Sequence, residues 1–427
     1  MSQLFSALSR AREYVRKSIH QATWYETPLA WTIALILLVA GLVAARHSVP
    51  GPGLDFASSV WAPGRAILHG FDPYHLGVVE RFYPRAVPFP LYGPPHLVLA
   101  IVVALLPLRV AGALWLVLTV LALAGYVAWA VKLAVGRVSI SLSAAVMGIL
   151  LVSRPGFNLV ELGQPTVVYL PLCWIVWRAD SNRWTSAVAL AFLLGKPPFA
   201  IPVLVFLLIQ RSWVLLGRGL AIGAVVSAPI LALLVRSEHG VSELVHAVST
   251  NNSALARLDE GIAQRIDVTA LVVRWTGSND WWVYVVCAVM VLGLTGLAIR
   301  RRLAVDDYRV TAGSRNREAI VLAMALATLV SITHEDYDVL LLLVPIGAAW
   351  SACRKAVWPV VPAIAAVVLH TPARLPSVLT YERIAEFTAF LLLFALAVID
   401  IQLARGGSVH KFEHALRRDD RSLNDPN

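Results

Sequence analysis

The sequence predicts an all-α polytopic membrane protein, and three observations carry that reading. Of the 427 residues, 58% are hydrophobic and only 15% charged, where soluble domains carry about 25% charged residues. The apolar residues gather in nearly uncharged runs at 29–45, 111–131, 213–235 (interrupted by Arg218), 283–298 and 387–399. Most of these have a length suited to a hydrocarbon core of roughly 30 Å. The basic residues fall in short stretches between the runs, as the positive-inside rule expects of cytoplasmic loops.

The first apolar run follows a basic segment and has no small-residue cleavage site behind it, so it reads as a retained first helix, not a signal peptide. It leads into a long loop, 46–93, rich in Pro, Gly and aromatic residues. Apolar segments then recur near 95–107, 109–131, 139–153, 164–178, 184–210 and 213–235. A second polar loop, 236–280, precedes segments near 281–299, 318–332, 338–352, 356–370 and 384–404. Counting each segment once gives about twelve crossings with residues 1–28 and 405–427 inside. Both long loops, and the short links 333–337 and 371–383, then lie outside. That order puts the basic loops after 299, 352 and 404 inside, but it puts Lys132/Arg137 and Arg178/Arg183 outside. Splitting 184–210 at Lys196-Pro197-Pro198 and merging 95–131 would reverse those two loops, and proline permits either break.

The formal net charge of +10 is therefore read as orientation, and no nucleic-acid partner is expected. Cys173, Cys287 and Cys353 lack CxxC spacing, so neither a disulfide framework nor a zinc site is expected. There is no P-loop, no strand-borne GxGxxG and no HExxH. No soluble domain is large enough to hold a nucleotide sugar, so an activated substrate of a transferase would be a lipid within the bilayer.

Several polar residues stand out. Asp55, about ten residues past the first span, precedes a segment (56–68) whose apolar spacing fits a helix lying in the interface plane. It could cap that helix, since a carboxylate favours a helix N-terminus. It could also act as a general base on a hydroxyl. A turn with Asp72 before Pro73 follows. Arg65, His69, His75, Arg81, Arg85 and His96 are interleaved with Tyr74, Phe82, Tyr83, Phe89 and Tyr92; such basic and aromatic residues serve as interface anchors or as ligands for a lipid phosphate. Lys196 lies far from the ends of its apolar segment, where an ionisable group is costly and a functional role is the default. Glu161 and Gln164 fit an ordinary short loop nearly as well as a site. In 331–338, His334, Glu335, Asp336 and Asp338 could form a metal site or a proton relay. Being nearly sequential, only one or two should face a cavity, with His334 and Tyr337 the candidates and the others facing water.

The stretch Asp55-Phe56…Trp61…Ala66…Leu68…Gly70-Phe71-Asp72-Pro73-Tyr74 resembles the first-loop signature of bacterial polyprenyl-phosphate-sugar glycosyltransferases of the GT-C fold. The nearest resemblance is to glycosyltransferase family 87, which includes actinobacterial mannosyl- and arabinofuranosyltransferases. Leu91-Tyr92-Gly93-Pro94-Pro95, Gly163-Gln164, Lys196-Pro197 and the 331–337 segment extend the likeness. Trp61 and Pro165 depart from the commoner tyrosine and from a hydrophobic–Asn pair.

The resemblance implies a seven-helix module (29–235) with catalytic loops after its first and seventh helices, which favours twelve crossings and leaves 281–404 as C-terminal helices. It implies Asp55 as general base in an inverting transfer. Arg65, Lys196 and His334 would hold the donor phosphate, and Asp72, Tyr74, His96, Gln164 and Tyr337 would contact substrate. No metal or cofactor is required, because a phosphate leaving group needs cations but no protonation. The expected partners are a polyprenyl-phosphate-sugar donor, mannose before arabinofuranose, a lipid-linked or cell-envelope glycan acceptor, and membrane lipids. A monomer in a bacterial cytoplasmic membrane, acting at the outer face, is expected. A transporter or flippase for a lipid-linked glycan is the rival from another class.

Overall fold

The computed structural model describes 54–84 except 76, 92–178, 184–237, 265–303 except 279, 315–352 and 383–403, with isolated positions in 28–39, 242–246 and 357–365. The terminal segments, most of the first span, most of the second polar loop and most of 353–382 lie outside the described residues. The described residues that take regular structure are helical. Among the described residues, four helices are long and apolar enough to cross a membrane: Leu108–Val135, Trp213–Arg236, Trp281–Leu303 and Arg383–Leu403. A bent pair, Ile140–Val152 and Arg154–Glu161, makes a fifth candidate.

The chain enters through α1, a helical stretch made of Leu54–Phe56, a π turn at Ala57–Trp61, and Ala62–Leu68. The expectation of a helix over 56–68 holds. Phe56, Val60, Ala62 and Ala66 are fully buried, and α1 packs along α3 (Pro94–Ala104). Gly64 lets the two backbones meet, since a Cβ there would strike the Ala100 carbonyl. Short α2 (Val78–Phe82) covers α1.

The long helix α4 (Leu108–Val135) passes three landmarks in order. Trp115 stacks on Phe56 at 5.3 Å, the Tyr126 hydroxyl donates to the Leu341 carbonyl at 3.2 Å, and Ala130 packs against Gly347. Next come α5 (Ile140–Val152) and α6 (Arg154–Glu161), bent by 76°. Ser153 at the break is extended, and Pro155 in the first turn of α6 offers no N–H to continue the ladder. A turn at Gly163 leads to α7 (Thr166–Trp177).

The apolar segment 184–210 is not one span. It forms α8 (Trp184–Leu193) and α9 (Pro197–Ile209), with Lys196 extended between them. A residue before proline is pushed out of the helical region, and Pro197 and Pro198 supply no N–H to bridge the gap. The chain continues through α10 (Trp213–Ser237), α11 (Val268–Thr276), α12 (Trp281–Leu303) and α13 (Arg315–Ser331). A 3-10 turn, Asp336–Leu342, runs into α14 (Leu343–Ala352), and α15 is Arg383–Leu403.

Two contacts revise the order of crossings expected for the first half. Arg178, just past α7, pairs with Glu318 at 2.9 Å, and Arg317 donates to the Arg178 carbonyl at 2.7 Å. Arg178 thus shares an end of the molecule with the start of α13, whereas the twelve-crossing order puts them on opposite sides. The landmarks along α4 likewise carry its Lys132 end toward the Ala352 end of α14. The split at Lys196 accounts for the reversal: α8 leads from the Arg178 end up to Lys196, and α9 leads back toward Met324, which Gln210 contacts. The described basic residues Lys132, Arg178 and Arg317 thus lie toward one end, as positive-inside prefers.

Candidate active site

The polar residues gather at the opposite end, beyond the far terminus of α13, about 24 Å along that helix from Arg315. Asp55 lies within the first turn of α1, where its backbone N–H donates to the Leu162 carbonyl at 3.0 Å. Its carboxylate does not serve as a cap. It accepts a short hydrogen bond from the Gln164 side-chain amide. Gln164 is aimed there by the turn before it: Gly163 has φ +66°, a conformation that costs glycine little, and its carbonyl accepts from the Trp115 indole at 2.8 Å. Burial pushes the Asp55 carboxyl up to about 6, with the nearby Lys196 charge pulling the other way. A base with that affinity for protons is suited to work near neutral pH.

Lys196 enters from the α8–α9 break. Its ammonium donates to the Thr166 hydroxyl and to Asp338 Oδ1, the latter at 2.9 Å. The rings of Phe199 and Tyr337 lie 4.5 and 5.7 Å from it. Gly195 is needed for this close approach, since a Cβ would come within 2.9 Å of both the His96 N–H nitrogen and the Tyr169 hydroxyl.

His334 is 1% exposed. Its Nδ1 lies 2.8 Å from Asp338 Oδ2, so it carries the proton toward that acceptor. Its Nε2 is buried with no partner among the described residues, and Phe199 packs on the ring at 4.8 Å. The 334–338 segment does not send its other members to water. Asp336, Tyr337 and Asp338 are buried, and each has its own partner. Arg154 and Asn158 hold Asp336 at 2.7 and 3.2 Å. Glu335 and Asp338 form a reciprocal cap at the start of the 3-10 turn. Burial, and then the nearby charges of Asp55, Asp336 and Asp338, push the Glu335 carboxyl up to about 8. The turn is braced from the far side by 265–267. Ile266 donates to the His334 carbonyl at 2.9 Å, and Asp267 accepts from the His334 N–H at 3.3 Å. Asp267 is itself gripped by both arms of Arg265. Among the described residues no three His, Cys, Asp or Glu side chains gather as a metal ion would require.

The structure thus brings Asp55, Gln164, Lys196, His334 and Tyr337 into one core. His96 borders it, stacked on Tyr92 at 4.2 Å and bonded to the Tyr169 hydroxyl at 2.8 Å. Asp72 and Tyr74 support its wall: Asp72 accepts from the Tyr74 N–H, and the Tyr74 hydroxyl donates to the Tyr92 carbonyl. Arg65 is not with the other two cations. It sits over Trp61 and reaches the Ala104 carbonyl at 3.5 Å. Sequence reasoning missed Thr166, Arg154, Asn158 and Asp267, which are ordinary polar residues of helix starts and turns and carry no local signal.

A sequence model of glycosyltransferase family 87 matches residues 90–331, more than half of the chain. The chain belongs to glycosyltransferase family 87. It is a glycosyltransferase, and its apolar helices make it a membrane one. The matched segment contains Gln164, Thr166 and Lys196, and it ends just before His334; Asp55 lies ahead of it. No curated protein and no solved structure matches the chain.

Proposed function

We propose that this family 87 enzyme moves one sugar, mannose first and arabinofuranose second, from a polyprenyl phosphate to a hydroxyl of a lipid-linked or cell-envelope glycan. The observation that carries this reading is the pairing of a half-buried carboxylate, Asp55, with the Lys196–His334 cluster in one core. Asp55 takes the proton of the acceptor hydroxyl as its oxygen bonds to the anomeric carbon. The bond from that carbon to the phosphate oxygen breaks on the opposite face, so the configuration inverts. The donor phosphodiester carries one negative charge and leaves as a monoester with two. Lys196 and His334 stabilise that added charge by charge-assisted hydrogen bonds in a site largely cut off from water.

Gln164 holds the Asp55 carboxylate in place, and Tyr337 and His96 border the space the substrates would fill. Arg65, removed from the other cations, is assigned to the lipid's approach alongside Trp61. Asp72 and Tyr74 act on substrate only through the wall they support. The clustering of the core at the end away from Arg178 and Arg317 supports action at the outer face of a bacterial cytoplasmic membrane. One chain carries every group named, so a monomer suffices.

The test is sugar transfer from radiolabelled polyprenyl-phosphate-mannose in membranes holding wild type or Asp55→Asn at matched protein level. Transfer by wild type that disappears in the variant is expected. Equal transfer by both would remove Asp55 from the chemistry. Transfer by neither would turn the search to the arabinose donor, and then to transport of a lipid-linked glycan.

A further inference from the structure

The proposed reaction leaves one member of the core without a task. Asp338 accepts from Lys196 Nζ at 2.9 Å and Thr166 Oγ1 at 3.1 Å on one oxygen. On the other it accepts from His334 Nδ1 at 2.8 Å and the Glu335 N–H at 3.4 Å. Donors from the α7 start, the α8–α9 break and the segment after α13 therefore converge on a single carboxylate. They do not exhaust the groups they tie. Lys196 uses two of its three N–H groups on Thr166 and Asp338. His334 Nε2, at the far side of the ring, is buried and has no partner among the described residues.

We propose that Asp338 is a positioning residue, a built-in counter-anion that holds Lys196 and His334 together as one anion-binding unit and offsets enough of the lysine charge for a lipid phosphate to leave. The proposal rests on the reading of a lipid phosphate as the leaving group. In a low-dielectric core, an uncompensated ammonium would grip a doubly charged monoester tightly. A carboxylate on its other side weakens that grip while keeping both donors in place.

A purely structural clamp and a charge offset predict opposite signs. Removing a clamp loosens both donors and weakens anion binding. Removing only the charge leaves a buried lysine short of its counter-ion and tightens it. The measurement is binding of a short-chain polyprenyl monophosphate to the full chain in lipid nanodiscs, beside the uncharged polyprenol of equal length. Asp338→Asn should bind the monophosphate about tenfold tighter, or more, with alcohol binding unchanged. Lys196→Met, which leaves Asp338 facing the anion, should lose the preference for phosphate, and Lys196→Met with Asp338→Asn should recover part of it. The second comparison decides the matter if Asp338→Asn alone does not fold. Weaker or equal binding by Asp338→Asn, or a double variant no better than Lys196→Met, overturns the offset and leaves the proposed reaction intact. Failure of wild type to prefer monophosphate over alcohol overturns both.

Discussion

The elbow around Asp55 and the knot around Asp338 place two carboxylates in the same core under different conditions. Asp338 receives four donors, one of them the Lys196 ammonium and one the His334 ring. Asp55, among the described residues, has one side-chain donor, a neutral amide. Burial without a bonded cation raises the proton affinity of Asp55, which suits a group that must take a proton. Burial with a bonded ammonium suits a group that must stay charged and hold others still. The difference lies in which backbone breaks face each carboxylate: the Gly163 turn brings an amide, and the Lys196-Pro197 break brings an ammonium.

The largest expected effect breaks the elbow. Asp55→Asn should lower kcat by about 10²–10⁴-fold, the range of a lost general base, with little change in donor KM in a steady-state assay. Next, Lys196→Met breaks the knot by stranding Asp338; removal of one partner of a buried pair costs about 3–5 kcal/mol, visible as a lower midpoint of thermal unfolding. Gln164→Leu sharpens the contrast. It removes the one donor that favours ionised Asp55, so the acid limb of kcat/KM should move up from about 6. The rate at neutral pH should fall about twofold to tenfold, for a charge-assisted hydrogen bond of about 1.5–3 kcal/mol. Arg65→Gln should change donor KM by less than about threefold, because Arg65 sits over Trp61 and the Ala104 carbonyl, apart from the Lys196–His334 cluster.

Stability against pH separates the two regions further. The folded-state affinity of Asp55, about 6, lies above its ordinary 3.8. Its contribution to stability is therefore present below about 4 and lost as pH rises through about 6. Asp55→Asn keeps the acceptor for Gln164 but removes that loss. Its unfolding midpoint should exceed that of wild type above about pH 7 and match it below about pH 4, read by a thermal melt in detergent.

Much of the fold and part of the site could be read from the sequence because their causes are local. Apolar runs mark membrane helices whatever they pack against, and Pro197-Pro198 marks a break wherever it falls. The order of crossings in the first half was misjudged because the sequence allowed the chain either to pass straight through 184–210 or to turn back at Lys196-Pro197-Pro198, and the seven-helix module implied by the resemblance favoured the straight passage. The Arg178–Glu318 contact, between residues far apart in sequence, is what reveals the turn. Likewise the nearly sequential spacing of 334–338 argued for side chains on different faces. An extended entry followed by a tight 3-10 turn instead buries them together, each against a different neighbour.

The sequence by itself determined a helical membrane protein, the placement of Asp55 and Lys196 at chain breaks, and the likeness to family 87, since composition, proline chemistry and motif order need no partner to be expressed. Only the tertiary structure decided that Lys196 and His334 share Asp338, that Arg65 stands apart, and that the core lies away from the basic end. Those are questions of distance between segments more than a hundred residues apart, and packing alone fixes such distances.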